Sequence, residues 1–172
     1  MVGIVVSRLA NRTPNRRMKR AHGIMFLEQL NEQQKHAFLV LAQRVTQADG
    51  EDSADEHAAL DALCQEMQIA FDVDMKAILA DINVDHFDSH STRVIAALEL
   101  MRMVHADDYV HEAEITEVLA ICQAMEFTDP WIVTMREWAK RLSWAEEDPL
   151  DSQRAEYRTL LVGYARQIIA GA

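Results

Sequence analysis

The sequence contains two copies of one pattern, and the copies lie 58 residues apart. Each copy joins two apolar-striped helical runs through a short acidic loop. The matched positions are Arg44 and Arg102, residues 48–50 and 106–108, Glu56 and Glu114, Ala62 and Ala120, and residues 64–67 and 122–125. A two-helix unit made twice predicts a duplicated all-helical domain, because one helical hairpin buries its apolar face against the other.

The helical pattern runs through the whole chain from Met25 onward. Apolar residues make up 49% of the 172 residues, whereas there are only five glycines and three prolines to interrupt helices. No stretch shows the alternation of a half-buried strand. The sequence therefore predicts an all-α fold, a compact bundle of about seven helices built from two pseudo-repeated helical hairpins. We expect residues 25–172 to form this single domain and residues 1–24 to form a basic leader.

Local signals predict where the helices begin and end. After a short lead-in at residues 26–30, Asn31 with Gln34 and Ser53 with Glu56 predict capping boxes for the next two helices. Further helices are expected near residues 74–82, 91–106, 111–126 and 129–144, with a last one from about Ser152. The predicted buried face of that last helix consists of Tyr157, Leu160, Leu161, Tyr164 and Ile168.

Charge is distributed unevenly along the chain. Residues 1–24 contain no acid and six basic residues, which are Arg8, Arg12, Arg16, Arg17, Lys19 and Arg20. The other eleven Lys and Arg residues stand against all 28 Asp and Glu residues, a formal charge of −17. An acidic body repels nucleic acid and anionic membranes, so we expect no nucleic-acid partner and at most indirect membrane association. We interpret the leader as a disordered or helical arm, or as an extension before a natural start at Met25. The alternatives are that it folds back on the acidic body, or that it tethers the protein, as a scaffold, to a membrane or a nucleic acid.

Cys64 and Cys122 are the only cysteines, and each falls within an apolar helical stripe. The basic residues of the leader follow the short apolar stretch Ile4-Val5-Val6, which is the reverse of the order in a secretion signal. We therefore expect reduced, buried thiols and a cytoplasmic location.

The two acidic loops contain the candidate site. Asp49 and Glu56 in the first loop correspond to Asp107 and Glu114 in the second. Carboxylates from flexible loops are ligands for calcium or magnesium, and the neighbouring His105 and His111 would admit zinc. The alternative is structural, since the same acids cap helix starts and turns. An EF-hand is excluded, because its sixth and twelfth loop positions would be Ala54 and Leu60 in the first copy.

Catalytic motifs are missing from the sequence, so we predict a protein that is not an enzyme. There is no nucleophile elbow, no zinc-protease motif and no phosphate-binding glycine loop. The alternative is a metal-dependent hydrolase that uses the second loop, with His105, Asp107, Asp108 and His111 around one ion. The His- and Asp-rich residues 85–90 are interpreted as a solvated loop with a helix cap, and the alternative is a zinc site. Tryptophan and tyrosine are concentrated in the last two helices, where any exposed ring would anchor a protein partner.

Residues 38–50, which end in Ala48-Asp49-Gly50, and the helix-opening pair Asp55-Glu56 resemble the TerB-like family. These helical domains are associated with tellurite resistance and also occur in DnaJ-type co-chaperones. The resemblance covers residues 26–148. It implies two pseudo-repeated halves, a stress or envelope context, and cation-binding loops at Asp49, Glu56, Asp107 and Glu114. One departure is Asp108, which stands where the first copy has Gly50.

Together these observations predict a non-enzymatic, cytoplasmic interaction module of a stress-response or membrane-associated assembly. A divalent cation (calcium, magnesium or zinc) is predicted to order its twin loops. The protein partner, the ion and the oligomeric state are left open by the sequence.

Overall fold

A computed structural model describes residues 26–50, 54–106, 110–148 and 150–171, without the side chains of Asp55 and Glu56. The described residues form seven α-helices, preceded by a 3₁₀ turn at Leu27–Gln29, and contain no β-strand. The helices are α1 (Glu32–Thr46), α2 (Ala54–Met67), α3 (Met75–Leu79), α4 (His90–Val104), α5 (Glu112–Ala124), α6 (Asp129–Glu146) and α7 (Ser152–Ala170). The predicted all-α bundle is confirmed. The predicted leader, residues 1–24, lies outside the described residues.

The two hairpins are copies in structure as well as in sequence. Helices α1 and α4 have 15 residues each, and both begin behind a capping box, formed by Asn31 with Gln34 and by Ser89 with Thr92. Caps of this kind satisfy amide groups that have no partner within the helix. The predicted Asn31 cap is confirmed, and the same device appears 58 residues later.

The second helix of each hairpin ends in the same way. Gln68 and Glu126 follow α2 and α5 with left-handed backbones, at φ values of 58° and 65°. The next amide in each copy donates back to a cysteine carbonyl, from Ile69 to Cys64 and from Phe127 to Cys122, each over 3.1 Å. This six-residue closure is the Schellman motif, which normally uses glycine at the left-handed position. Both copies form it without glycine.

Helix α4 is the centre of the fold. It packs against α1, α5, α6 and α7, and every residue from 94 to 101 is buried. The N-terminal entry of the domain is also fixed on α4, because the Phe26 amide donates to the buried Glu99 carboxylate over 2.9 Å. Arg102 neutralises that carboxylate at 2.8 Å. One continuous core therefore joins both hairpins from Phe26 to Ile169.

The last helix closes the bundle against α4 and α6. The indole of Trp138 donates to the carbonyl of Leu161 at 2.9 Å, and the hydroxyl of Ser91 donates to the carbonyl of Ile169 at 2.7 Å. The prediction for the buried face of α7 is partly wrong, because Leu160 and Tyr164 are exposed. In the described part of the chain α7 packs against α4 and α6, and Leu161, Ala165 and Ile168 are buried.

Predicted helix ends near α3 and α5 differ from those observed. Asp74 caps α3 through the amide of Lys76, but the helix ends at Leu79 and does not reach residue 82. His111 is a better cap than its residue type suggests, since its Nδ1 accepts the Ala113 amide. Helix α6 begins at Asp129, as predicted, with Thr128 at its N-cap. Among the described helices, none is both long and apolar enough to span a bilayer.

Candidate interaction surface

The structure describes half of the predicted cation-binding set. Asp49 is half-buried and precedes Gly50, whose φ of 75° confirms the predicted left-handed turn after α1. Glu114 is buried in the first turn of α5. Asp107 and the side chain of Glu56 lie outside the described residues. The four-carboxylate site therefore stays a prediction.

A shallow, open depression of about 530 Å³ lies where the end of α1 meets the start of α5. Its lining includes Ala48, His111, Glu112 and Glu117. Two of these polar groups already have partners, since Glu117 pairs with Arg44 at 2.9 Å and His111 caps α5. Within the described ranges, no three His, Cys, Asp or Glu side chains are grouped so that they could hold a metal ion.

His105, a residue of the predicted hydrolase site, is buried at the end of α4. Burial, together with the positive charges of Arg136 and Lys140, lowers the pKa of His105 to about 4, against a smaller opposing effect of Glu137. The same two cations oppose binding of a metal ion beside this imidazole. Asp107 and Asp108 of that predicted site fall outside the described part of the chain.

The two cysteines are free and buried, as predicted. Burial raises the pKa of the Cys122 thiol to about 12, and burial together with Asp61 raises that of Cys64. A thiol with a raised pKa is a poor nucleophile, because the reactive species is the thiolate. Both residues act as small apolar side chains of the core.

An exposed apolar stripe lies on and just before α3. Phe71 is 42% exposed, Met75 is 53% exposed and Leu79 is 79% exposed. These residues are spaced four apart, so Met75 and Leu79 share one face of the helix. Three acids border them, at Asp72, Asp74 and Asp81, and all three are exposed. We call these six residues the α3 surface.

Arg44 of α1 holds the carboxyl end of helix α3. The guanidinium of Arg44 donates to the carbonyls of Ile78 and Ala80 and pairs with Glu117 of α5. A five-residue helix is far too short to be stable alone. Only Ile78 of α3 is buried, so the arginine clamp and this one anchor present the other apolar side chains to solvent.

The second hairpin lacks this surface. By the 58-residue spacing, Phe71, Met75 and Leu79 correspond to Asp129, Val133 and Glu137. Val133 is 59% exposed but has acids at the positions four residues before and after it. The apolar stripe is therefore specific to the first copy, while a single exposed apolar position is common to both.

Charge also distinguishes the region around α3. Residues 54–89 contain nine acids and one cation, Lys76. The sequence reading missed this surface because the stripe resembles an ordinary buried helical face. The signal that could have revealed it is a set of apolar residues spaced four apart among aspartates. They lie in a segment that is too short to bury two helix faces.

The aromatic residues of the last two helices are mostly used internally. Trp138 is buried, and Trp131 lies edge-on to His90 with ring centres 5.8 Å apart. Trp144 is 47% exposed, but the guanidinium of Arg154 lies over its ring at 4.4 Å. Of the predicted aromatic docking face, Tyr164 on α7 is also exposed, at 43%. Comparison with models of protein families, with curated proteins and with solved structures finds no match to this chain.

Proposed function

We propose that this protein is an interaction module whose α3 surface binds a basic, amphipathic segment of a partner protein. The observation that carries the proposal is the exposure of Phe71, Met75 and Leu79 inside a rim of aspartates. The setting belongs to the same proposal: a cytoplasmic module of a stress-response or membrane-associated assembly, as the TerB-like resemblance implies.

The apolar stripe provides the binding energy in this proposal. Burying a phenylalanine, methionine or leucine side chain contributes roughly 1.5–3 kcal/mol each when it is fully removed from water. Methionine and phenylalanine are also common at adaptable protein-binding surfaces. An amphipathic helix with apolar residues three or four apart matches a stripe with a spacing of four.

The acidic rim determines which partner is accepted. Asp72, Asp74 and Asp81 attract Lys and Arg residues that flank the apolar face of the incoming segment. Complementary charge of this kind raises the association rate and rejects acidic competitors. The formal charge of −17 outside the leader rejects nucleic acid and anionic lipid for the same reason.

The test is an unbiased selection of 16-residue random peptides on the full-length protein. We expect the selected peptides to be enriched in Lys and Arg, with apolar residues at helical spacing. In amide chemical-shift maps, the most basic selected peptide should perturb residues 71–81. Its affinity should fall as salt rises, because the rim charges are exposed.

Matched variants localise the binding. Met75→Ser and Leu79→Ser should each weaken peptide binding at least tenfold, the effect of about 1.4 kcal/mol. Val133→Ser is the control, since Val133 is 59% exposed and is the equivalent in the second hairpin of Met75, which is 53% exposed. Asp74→Asn removes one rim charge and keeps a good helix cap, so it should mainly reduce the salt dependence. Selected peptides without basic enrichment, or equal binding by Leu79→Ser and Val133→Ser, would overturn the proposal.

A further inference from the structure

The leader is the one strongly basic segment of the chain. Residues 1–24 contain six Lys and Arg residues and no Asp or Glu. Apolar residues such as Val5 and Leu9 are interleaved with Arg8 and Arg12. The α3 surface has the opposite charge and an uncovered apolar stripe. The two therefore complement each other in both properties that the proposed partner needs.

The leader is also attached where it can reach α3. The described chain begins at Phe26, which is buried and bonded to Glu99 on α4. The 25 residues before it span at most about 80 Å when extended, whereas a domain of this length is about 40 Å across. A tether of this length gives the leader an effective local concentration of about a millimolar at the α3 surface. The leader would therefore occupy that surface even if its intrinsic affinity were weak.

We infer that the leader, residues 1–24, binds the α3 surface of its own chain and competes there with the external partner. This inference rests on the proposed function of the same surface. Docking covers Phe71, Met75 and Leu79 and neutralises part of the acidic rim. A partner then binds by displacing the leader, so its apparent affinity reports the competition.

The first experiment detects contact within the intact protein. A nitroxide is attached to the variant Ser7→Cys, and Cys64 and Cys122 do not compete for the label because both are buried. We expect paramagnetic broadening of the amides of residues 71–81, and its loss at high salt. The control carries the same nitroxide in a leader-neutral variant, in which all six basic leader residues are glutamine.

The second experiment measures competition with the most basic peptide from the selection. The leader-neutral variant should bind this peptide roughly tenfold more tightly than the unmodified chain, as expected when a millimolar tethered competitor with a dissociation constant near 100 μM is removed. Adding Leu79→Ser to the leader-neutral variant should abolish that gain, whereas adding Val133→Ser should preserve it.

The two proposals fail in different ways. If the external peptide maps to α3 but the nitroxide broadens no α3 amides, or broadens them equally in the leader-neutral variant, the cis contact is refuted and the interaction function stands. If broadening is confined to residues 71–81 and charge-dependent while no selected peptide binds there, the cis contact stands and the function in trans is refuted.

Discussion

Acidification is expected to destabilise this protein through one buried imidazole, His105. The side chain is 5% exposed, and its Nε2 has no hydrogen-bond partner in the described part of the structure. The charged groups that act on it come from α6, where Arg136 and Lys140 outweigh Glu137. Protonating this ring in the folded protein would place a third positive charge beside two others, in a site shielded from water.

The magnitude follows from the two protonation states. The pKa of His105 falls from its ordinary 6.5 to about 4 on folding. Below pH 6.5 the unfolded chain takes up a proton that the folded chain does not, so unfolding becomes more favourable as pH drops. At 1.36 kcal/mol per pH unit, the loss of stability is about 2 kcal/mol at pH 5 and about 3 kcal/mol as pH approaches 4. Stability from this source is complete above about pH 7.

The assay is urea unfolding of the unmodified protein and of His105→Gln at several pH values between 7.5 and 5. Other titrating groups contribute equally to both proteins, so the difference between their free energies of unfolding isolates His105. We expect that difference to shift by about 2 kcal/mol against the unmodified protein over this interval. Parallel stability curves, with a constant difference, would falsify the reasoning about this histidine.

Three other perturbations have defined outcomes. Arg44→Met should cost about 2 kcal/mol by removing charged hydrogen bonds to α3, and hydrogen exchange should show faster opening of α3 than of α4. Gly50→Ala should lower the free energy of unfolding by about 1–2 kcal/mol because the backbone there is left-handed, whereas Gly163→Ala, inside α7, should raise it by about 0.5–1 kcal/mol. Neither new methyl group meets an atom within 4 Å, so the difference reports backbone conformation alone. Urea unfolding of both variants measures these changes. Calcium, magnesium or zinc should raise the melting temperature if the predicted twin loops bind a cation. The double variant Asp49→Asn, Asp107→Asn should remove that rise. Calorimetry that shows no binding by the unmodified protein would refute the site.

The fold was predictable because its determinants are local and repeated. The capping box at Asn31, the glycine turn at Gly50 and the stripe from Phe38 to Val45 each specify helix geometry within a few residues. The 58-residue spacing then indicates that two such units exist and pack together. Errors arose where a helix end depends on a less common device, such as the His111 cap or the non-glycine turn at Glu126.

The candidate surface was not predictable in the same way, because exposure depends on what the rest of the chain covers. Leu160 and Leu161 are neighbours of the same residue type, yet only Leu161 is buried. Likewise, nothing within residues 71–79 indicates that Arg44, some thirty residues earlier, fixes the short helix with its apolar side chains outward. Such information is carried by long-range contacts and not by local periodicity.

The comparison between the two hairpins also bears on function. Both copies keep the capping box, the 15-residue first helix and the Schellman closure, so these features serve the fold. They diverge directly after that closure, where the first copy has the five-residue α3 and the second has the 18-residue α6 packed on α4 and α7. Leu79 then occupies the position where the second copy has Glu137, whose pKa is lowered by its hydrogen bond to Lys140. An exposed leucine where the other copy has a solvated ion pair leaves apolar surface in water, and the proposed docking on the α3 surface would remove that area from water.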